Sequence, residues 1–390
     1  MKKTMIIILL IAIYSISGFS QFGTDTMSKC ISRAYLELSS WDMYGVKHWG
    51  IGSCSSDNSE GGGGGMYDLA QMQQLNIFEG TEENIELREY WYRAYNIIYF
   101  CNLAIHLSDQ TDLDNLIKER YIAEAKFIRS LMYFELSITL GKAVLLTDIF
   151  NWELTNDFFP DYNITFMLNK DFSNISEIFN QIELDLNEVV SDLPQKSSLG
   201  NDELFRATKG AAYGLLAKTL LFGSSYARYY TDDERFTGLT EKWDQVKNVA
   251  LSVINSNEYE LVGINGEAYN TWWDGSYLYP DETPGFRYIF SVDGNDSPES
   301  VFSVGDRRED KNQWIPNGGN SIVNMTGPRG IIHPDTETSI DYGWGWIVPT
   351  VDLKNAFAEE SGNANDDPRF SVTVALETDS LLAYIYDAYT

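Results

Sequence analysis

The 390-residue sequence is poor in cysteine, in histidine and in positive charge. Its three cysteines, Cys30, Cys54 and Cys101, are an odd number, so they cannot all pair within the chain. Cys101 lies in an apolar helical run and reads as a small core residue. Cys30 and Cys54 are open to pairing, but nothing in their spacing demands it. The fold therefore does not rest on a disulfide framework. Lys and Arg number 28 against 57 Asp and Glu, a net charge of −29. So few cations exclude a nucleic-acid partner, because phosphate backbones are bound by Lys and Arg displacing counterions. The same imbalance argues against docking on anionic lipid. The histidines, His48, His106 and His333, are widely spaced and form no HExxH pattern, which argues against a zinc site. The glycine run Gly61 to Gly65 lacks the Lys-Ser/Thr of a phosphate loop and reads as a surface linker. A G-x-S-x-G elbow, a recognisable acid pair and an Asp-x-Asp-x-Asp-Gly calcium loop are also missing, so no cofactor or metal is expected.

Long apolar runs are confined to the N-terminus. Lys2 and Lys3 precede the apolar stretch Met5 to Ile13, and small or polar residues follow, which is the layout of a secretory signal. The stretch is shorter than the ~20 residues that span a bilayer. Removal of residues 1–20 leaves 26 basic against 57 acidic residues, a charge of −31. Ile16-Ser17-Gly18 resembles the approach to a lipoprotein cysteine, yet Phe19 follows. Phe19 has no thiol to carry a lipid, which argues against an anchor.

Apolar residues make up 44% of the chain, enough for a packed interior. Helical periodicity runs through four segments: 86–107, 112–140, 207–222 and 241–255. A further amphipathic stretch covers 175–190. Asp112 is the candidate N-cap of the second helix and Gly141 its left-handed stop. The first two helices carry apolar residues on two faces, so each needs covering on two sides, as in a stacked array. The third, ending at Gly223, holds Gly210 and Gly214, whose cost of ~1 kcal/mol each in a helix implies a packing reason. Trp91 and Trp243 sit on apolar stripes and read as core. Residues 39–80 and 262–345 lack helical period and read as functional loops, with short strands possible at Tyr288 to Val292 and Ser300 to Val304.

Aromatic residues concentrate in those loops. Trp272-Trp273-Asp274-Gly275-Ser276-Tyr277-Leu278-Tyr279 offers four flat rings and a carboxylate in eight residues. Sugar rings present apolar C–H faces between hydroxyls, so such a segment suits a glycan platform. The candidate ligand-binding residues are Trp272, Trp273, Asp274, Tyr277 and Tyr279, with Trp41, Trp49 and Trp344. Trp41 and Trp49 divide evenly between binding and core. Trp344 belongs to Trp344-Gly345-Trp346, a segment weighted toward structure by the usual burial of large aromatics. No catalytic residue is assigned.

Several segments, in order, resemble the SusD/RagB family of Bacteroidetes outer-membrane nutrient-binding proteins. Trp91 to Ile98 with Cys101-Asn102 resembles its W…Y…I…N helix. Ala123 to Leu131 with Tyr133-Phe134 and Leu140-Gly141 resembles its AEA-x-F-x-RA-x-x-YF…G segment. Ala207 to Ala212 resembles its ATKGAA helix, Trp243 to Tyr259 and Leu261 its W…A…I…Y-x-L helix, Trp346 to Thr350 a further recurrent segment, and Asp367-Pro368-Arg369 its DPR turn. The set covers roughly residues 30–375.

The resemblance implies a mainly α fold, a tetratricopeptide-like helical array with a loop-rich irregular region and a few short strands. It implies a signal peptide at 1–20, an N-terminal helical region at 21–223 and a loop-rich C-terminal region at 224–390. Family members have a lipoprotein cysteine where Phe19 stands, and continue past the DPR turn, so by this resemblance the C-terminal region at 224–390 is expected to be truncated, with part of that scaffold missing. The implied function is non-enzymatic: binding of an oligosaccharide at the cell outer membrane and delivery to a SusC-type TonB-dependent transporter. An all-helical glycoside hydrolase or lyase is the alternative from another class, and a peptide-binding variant of the same scaffold is the second.

Overall fold

The computed structural model describes residues 26–65, 67–149, 152–154, 164–166, 171–262, 288–289, 294–295, 297–305, 321–327, 329, 331–332, 339–340, 343–359, 362–367 and 369–373. The described chain is mainly α. In order it forms α1 (Thr26–Leu38), a π-turn (Trp41–Gly45), α2 (Lys47–Cys54), β1 (Ser59–Gly61), α3 (Ala70–Asn76), α4 (Ile85–Leu107) and α5 (Asn115–Leu140). Then come β2 (Trp152–Leu154), β3 (Ile164–Phe166), α6 (Ile175–Val189), α7 (Lys209–Tyr229) and α8 (Trp243–Ile254). The C-terminal part holds α9 (Ile322–Thr326), β4 (Ile331–Ile332), β5 (Ser339–Ile340), β6 (Ile347–Pro349), α10 (Val351–Ala358) and α11 (Phe370–Thr373). Among the described residues no helix is long and apolar enough to cross a membrane.

Apart from α1, which packs on α4, the array is built by sequence neighbours: α4 against α5, α5 against α6, α6 against α7 and α7 against α8. Both apolar stripes of α4 are consumed, since Ala94, Tyr95, Ile97, Ile98 and Cys101 are all fully buried. The cap of α4 is Asn84, which accepts from the backbone N–H groups of Glu86 and Leu87. The cap of α5 is Asp114, not Asp112. The Asp114 carboxylate takes the orphan N–H of Leu116 at 2.9 Å, two residues later than the sequence pattern suggests. Gly141 ends α5 at φ +69°, as its position predicted.

Past Gly141 the chain is clipped to the array by two tyrosines working alike. The Tyr95 hydroxyl donates to the carbonyl of Val144 and accepts its N–H. Tyr133 does the same for Leu146. Arg129, buried, donates through Nε and Nη2 to Asp185 of α6 at 2.8–2.9 Å, and through Nη1 to Asn102 of α4 at 2.7 Å. Buried Glu124 receives Arg120 and Arg206. Tyr95, Asn102, Glu124, Arg129 and Tyr133 belong to the motif segments, and they are absorbed into buried polar networks that fix how the helices sit.

The third helix departs from expectation at its end. Gly223 lies inside α7, which continues to Tyr229, so the line drawn at residue 223 falls within a helix. A Cβ at Gly223 would stand 3.3 Å from the Phe179 ring, so this glycine serves close helix approach and not termination. Gly210 is tighter still: a Cβ there would lie 2.1 Å from the Tyr259 hydroxyl. Trp243 is a correction. It is half-buried, donates to Glu241 and lies under the Arg228 guanidinium at 4.8 Å, and α8 has no fully buried residue. Trp91 packs half-buried against Tyr95 and Phe172. Ser300 to Val304 forms no strand; its Phe302 seats against Phe127 at 5.0 Å.

Strands are short and antiparallel: β1 with β6, β2 with β3, β4 with β5. The first pairing matters most, because Glu60 opposite Val348 ties residues near 60 to residues near 348. Cys30, Cys54 and Cys101 are buried and unpaired with one another, and burial pushes the first two thiols up to about 12 and about 11.

Candidate functional site

Three tryptophans from two distant segments converge beside the β1–β6 pair. Trp41 opens the π-turn, and Trp344 and Trp346 lead into β6. The Trp41 ring centroid lies 6.1 Å from Trp344 and 6.3 Å from Trp346, and the latter two are 4.4 Å apart. The interplanar angles of 48°, 85° and 39° are the tilted and edge-on arrangements that aromatic quadrupoles favour. Trp41 keeps 38% of its surface exposed, while Trp344 and Trp346 are half-buried. The result is a ledge of indole, packed from behind and open in front.

Gly345 makes the close pair possible. Side chains two apart on a strand share a face but stand roughly 7 Å apart. Gly345 at φ +57° turns the backbone between them through the left-handed region, and the rings close up.

The glycine run is not a free linker. The N–H of Gly62 donates to the Trp346 carbonyl at 2.7 Å, and that of Gly63 to the Gly345 carbonyl at 2.6 Å. A Cβ at Gly62 would sit 2.3 Å from that Gly345 oxygen, so the run must be bare to lie against the tryptophan segment. Gln73 completes the wrap by donating to the carbonyls of Gly62, Gly65 and Asp68.

A charged pair borders the ledge. Asp68 accepts from the Gly64 N–H at 2.7 Å and from Arg329 Nη1 at 2.8 Å, and it also bonds the Trp346 side chain. The Gly64 N–H, then Arg329 and Trp346, hold its carboxyl below the usual carboxylate range against a smaller opposing effect of burial. Asp68 and Arg329 remain partly open to solvent, at 30% and 42% of their side-chain surface. Flat aromatic faces beside an ionised carboxylate and a guanidinium are the two ingredients a polyhydroxylated ring requires.

Of the candidates read from sequence, Trp41 and Trp344 meet here. Trp49 does not join them; it is half-buried on α2 against the core. Trp272, Trp273, Asp274, Tyr277 and Tyr279 lie outside the described residues, as do the signal segment and Phe19. The sequence reading missed Trp346, Asp68 and Arg329. The Trp-Gly-Trp spacing was a signal for the first. Nothing local signalled the pairing of Asp68 with Arg329. Beside α1 the described residues also line a cavity of about 340 Å³, bordered by Tyr35, Phe205, Arg206 and Phe302. Its one guanidinium, Arg206, is already engaged by Glu124 and the Tyr35 and Tyr121 rings. Among the described residues no group of His, Cys, Asp and Glu is arranged to hold a metal ion.

Residues 48–221 match the SusD-like family model described as starch-binding associating with outer membrane. That matched segment is similar to the SusD-like family. A SusD-like protein of Bacteroides ovatus is 26% identical over 232 residues, which are 55% of this chain and 39% of that protein. A solved laminarin-binding SusD-like protein superposes with a TM-score of 0.63 at 22% identity, covering 88% of this chain and 64% of that one. Surface glycan-binding protein A from Bacteroides uniformis gives 0.60 at 17% identity, covering 85% and 61%. The chain thus spans less than two thirds of the length of these SusD-like relatives, and the structural likeness is one of fold. The motif segments at 91–141 and 207–212 fall within the matched region.

Proposed function

We propose that this SusD-like chain is a non-catalytic glycan-binding protein that takes oligosaccharide at the cell surface and delivers it to a SusC-type TonB-dependent transporter. The observation that carries the binding step is the Trp41–Trp344–Trp346 ledge with Asp68 and Arg329 beside it. Stacking on the indoles would supply most of the affinity, and the charged pair would bond hydroxyls. The names of two fold neighbours point the same way, one binding laminarin and one solved with laminarihexaose. The loop Trp272 to Tyr279 is a second candidate contact under the same reading.

The test is titration against a glycan panel that includes laminarihexaose, followed by tryptophan fluorescence, with a parallel assay for cleavage. Saturable quenching without product supports the proposal. Cleavage that disappears when one carboxylate is replaced would establish the hydrolase or lyase instead, and displacement by peptides would establish the peptide-binding variant.

A further inference from the structure

Directly behind the ledge lies a buried ion network with one foot beside Trp41. Asp42, the next residue in the π-turn, is buried, and its two oxygens are taken by different cations. Lys47 Nζ of α2 reaches Oδ1 at 3.1 Å, and Arg93 Nη2 of α4 reaches Oδ2 at 3.0 Å. Lys47 is itself buried, touching Glu86 at 3.4 Å and also Glu89. Arg93 bonds Glu37 of α1 as well, and Glu37 is held by Arg33 at 2.5 Å. Three cations and four carboxylates thus join α1, α2, α4 and the π-turn.

Such a network is an odd choice for stability alone. Desolvating several charges offsets much of their attraction, and apolar residues of similar size commonly serve stability as well or better. Its attested use is to select one geometry among near-equal ones. The π-turn is a segment in need of selection. Its geometry is rare. Met43 departs from helical dihedrals at φ −127°, ψ −123°. Gly45 is pressed so closely on the carbonyls of Ser39 and Ser40 that a Cβ would lie 2.7 Å from each. Asp42 is the one member of the network inside this turn, and its neighbour is the most exposed ring of the ledge.

We propose that the Asp42–Lys47–Arg93 network is a positioning device that sets Trp41 against Trp344 and Trp346 and thereby shapes the ledge. The consequence for ligand rests on the glycan-binding reading above, whereas the ring geometry does not. Asp42→Asn leaves the ion pairs named above with three cations and three carboxylates, so no excess of buried positive charge is created. Lys47→Gln frees the same carboxylate from the other side, and its remaining partners Glu86 and Glu89 are partly open to water.

The experiment reads circular dichroism of the coupled indoles together with laminarihexaose titration on wild type, D42N, K47Q and W41A. W41A removes the Trp41 contribution and calibrates the signal. In folded D42N and K47Q the expected result is loss of at least half of that contribution, with about tenfold weaker laminarihexaose binding. A wild-type couplet in folded D42N and K47Q overturns the proposal whatever the ligand does. If neither variant folds, the network is a folding element and the proposal also falls. W41A binding laminarihexaose as wild type does would sink the ledge as the ligand surface, and the couplet would still decide the positioning.

Discussion

The α4–α7 array and the tryptophan ledge solve different problems with the same kinds of group, aromatic rings, carboxylates and guanidinium. In the array, Arg129, Glu124, Tyr95 and Tyr133 are buried and fully engaged, and their hydrogen bonds run between helices. At the ledge, Trp41, Asp68 and Arg329 are held from behind yet keep open surface. The motif segments at 91–141 and 207–212 lie in the first region, while Trp346, which opens another of them, lies at the ledge. The side chains that keep open surface lie in the second. Family resemblance here therefore reports mainly scaffold.

The comparison predicts that damage in the array is felt as stability and damage at the ledge as affinity. The largest effect is expected from Arg129→Met, which strands Asp185 and Asn102 in the core. Loss of one partner of a buried ion pair costs about 3–5 kcal/mol. Urea unfolding should show that loss, while the protein that remains folded binds glycan as before. Gly210→Ala should come next, since its Cβ would lie 2.1 Å from the Tyr259 hydroxyl. Overpacking of this kind costs roughly 1–3 kcal/mol, readable as a lowered melting temperature. An unchanged melt would mean Tyr259 swings aside freely.

Trp41→Ala reverses the pattern. Glycan affinity should fall by about tenfold, or ~1.4 kcal/mol, with a nearly unchanged melt. Trp272→Ala and Trp273→Ala should behave the same way if that loop shares in binding. A collapsed melt for either would make it a core residue.

The smallest effect concerns acid. The folded Asp68 carboxyl titrates below its unfolded value of about 4. Its contribution is therefore complete above that value and is lost as pH falls through the lowered folded one. Because the pair is partly exposed, the stability change should stay under about 1 kcal/mol. The clearer readout is the Trp346 indole N–H resonance, which should shift as Asp68 protonates. An indole resonance that ignores acid would show that the Asp68 bond to Trp346 is absent in solution.

The two regions were also unequally readable in the amino-acid order. Helix periodicity placed α4, α5, α6, α7 and α8, because burial on a 3.6-residue period is a local pattern. Ends were less secure. Asp114 caps where Asp112 was the candidate, and Gly223 is a packing glycine where a stop was read. At the ledge, Trp41 and Trp344 were visible as loop aromatics. Their meeting was not, since it depends on the β1–β6 pairing of segments almost 300 residues apart. Asp68 and Arg329 are 261 positions apart and carry no local mark. The glycine run looked like a linker because its role, lying bare against Trp346, is defined by the partner and not by its own composition.

The most direct test of the central claim is calorimetric titration of wild type and Trp41→Ala with a glycan panel including laminarihexaose. The expected result is saturable binding to wild type that weakens about tenfold in the variant, with both proteins melting alike and no glycan cleaved. A variant that binds as tightly as wild type, or a wild type that binds no glycan in the panel, would contradict it.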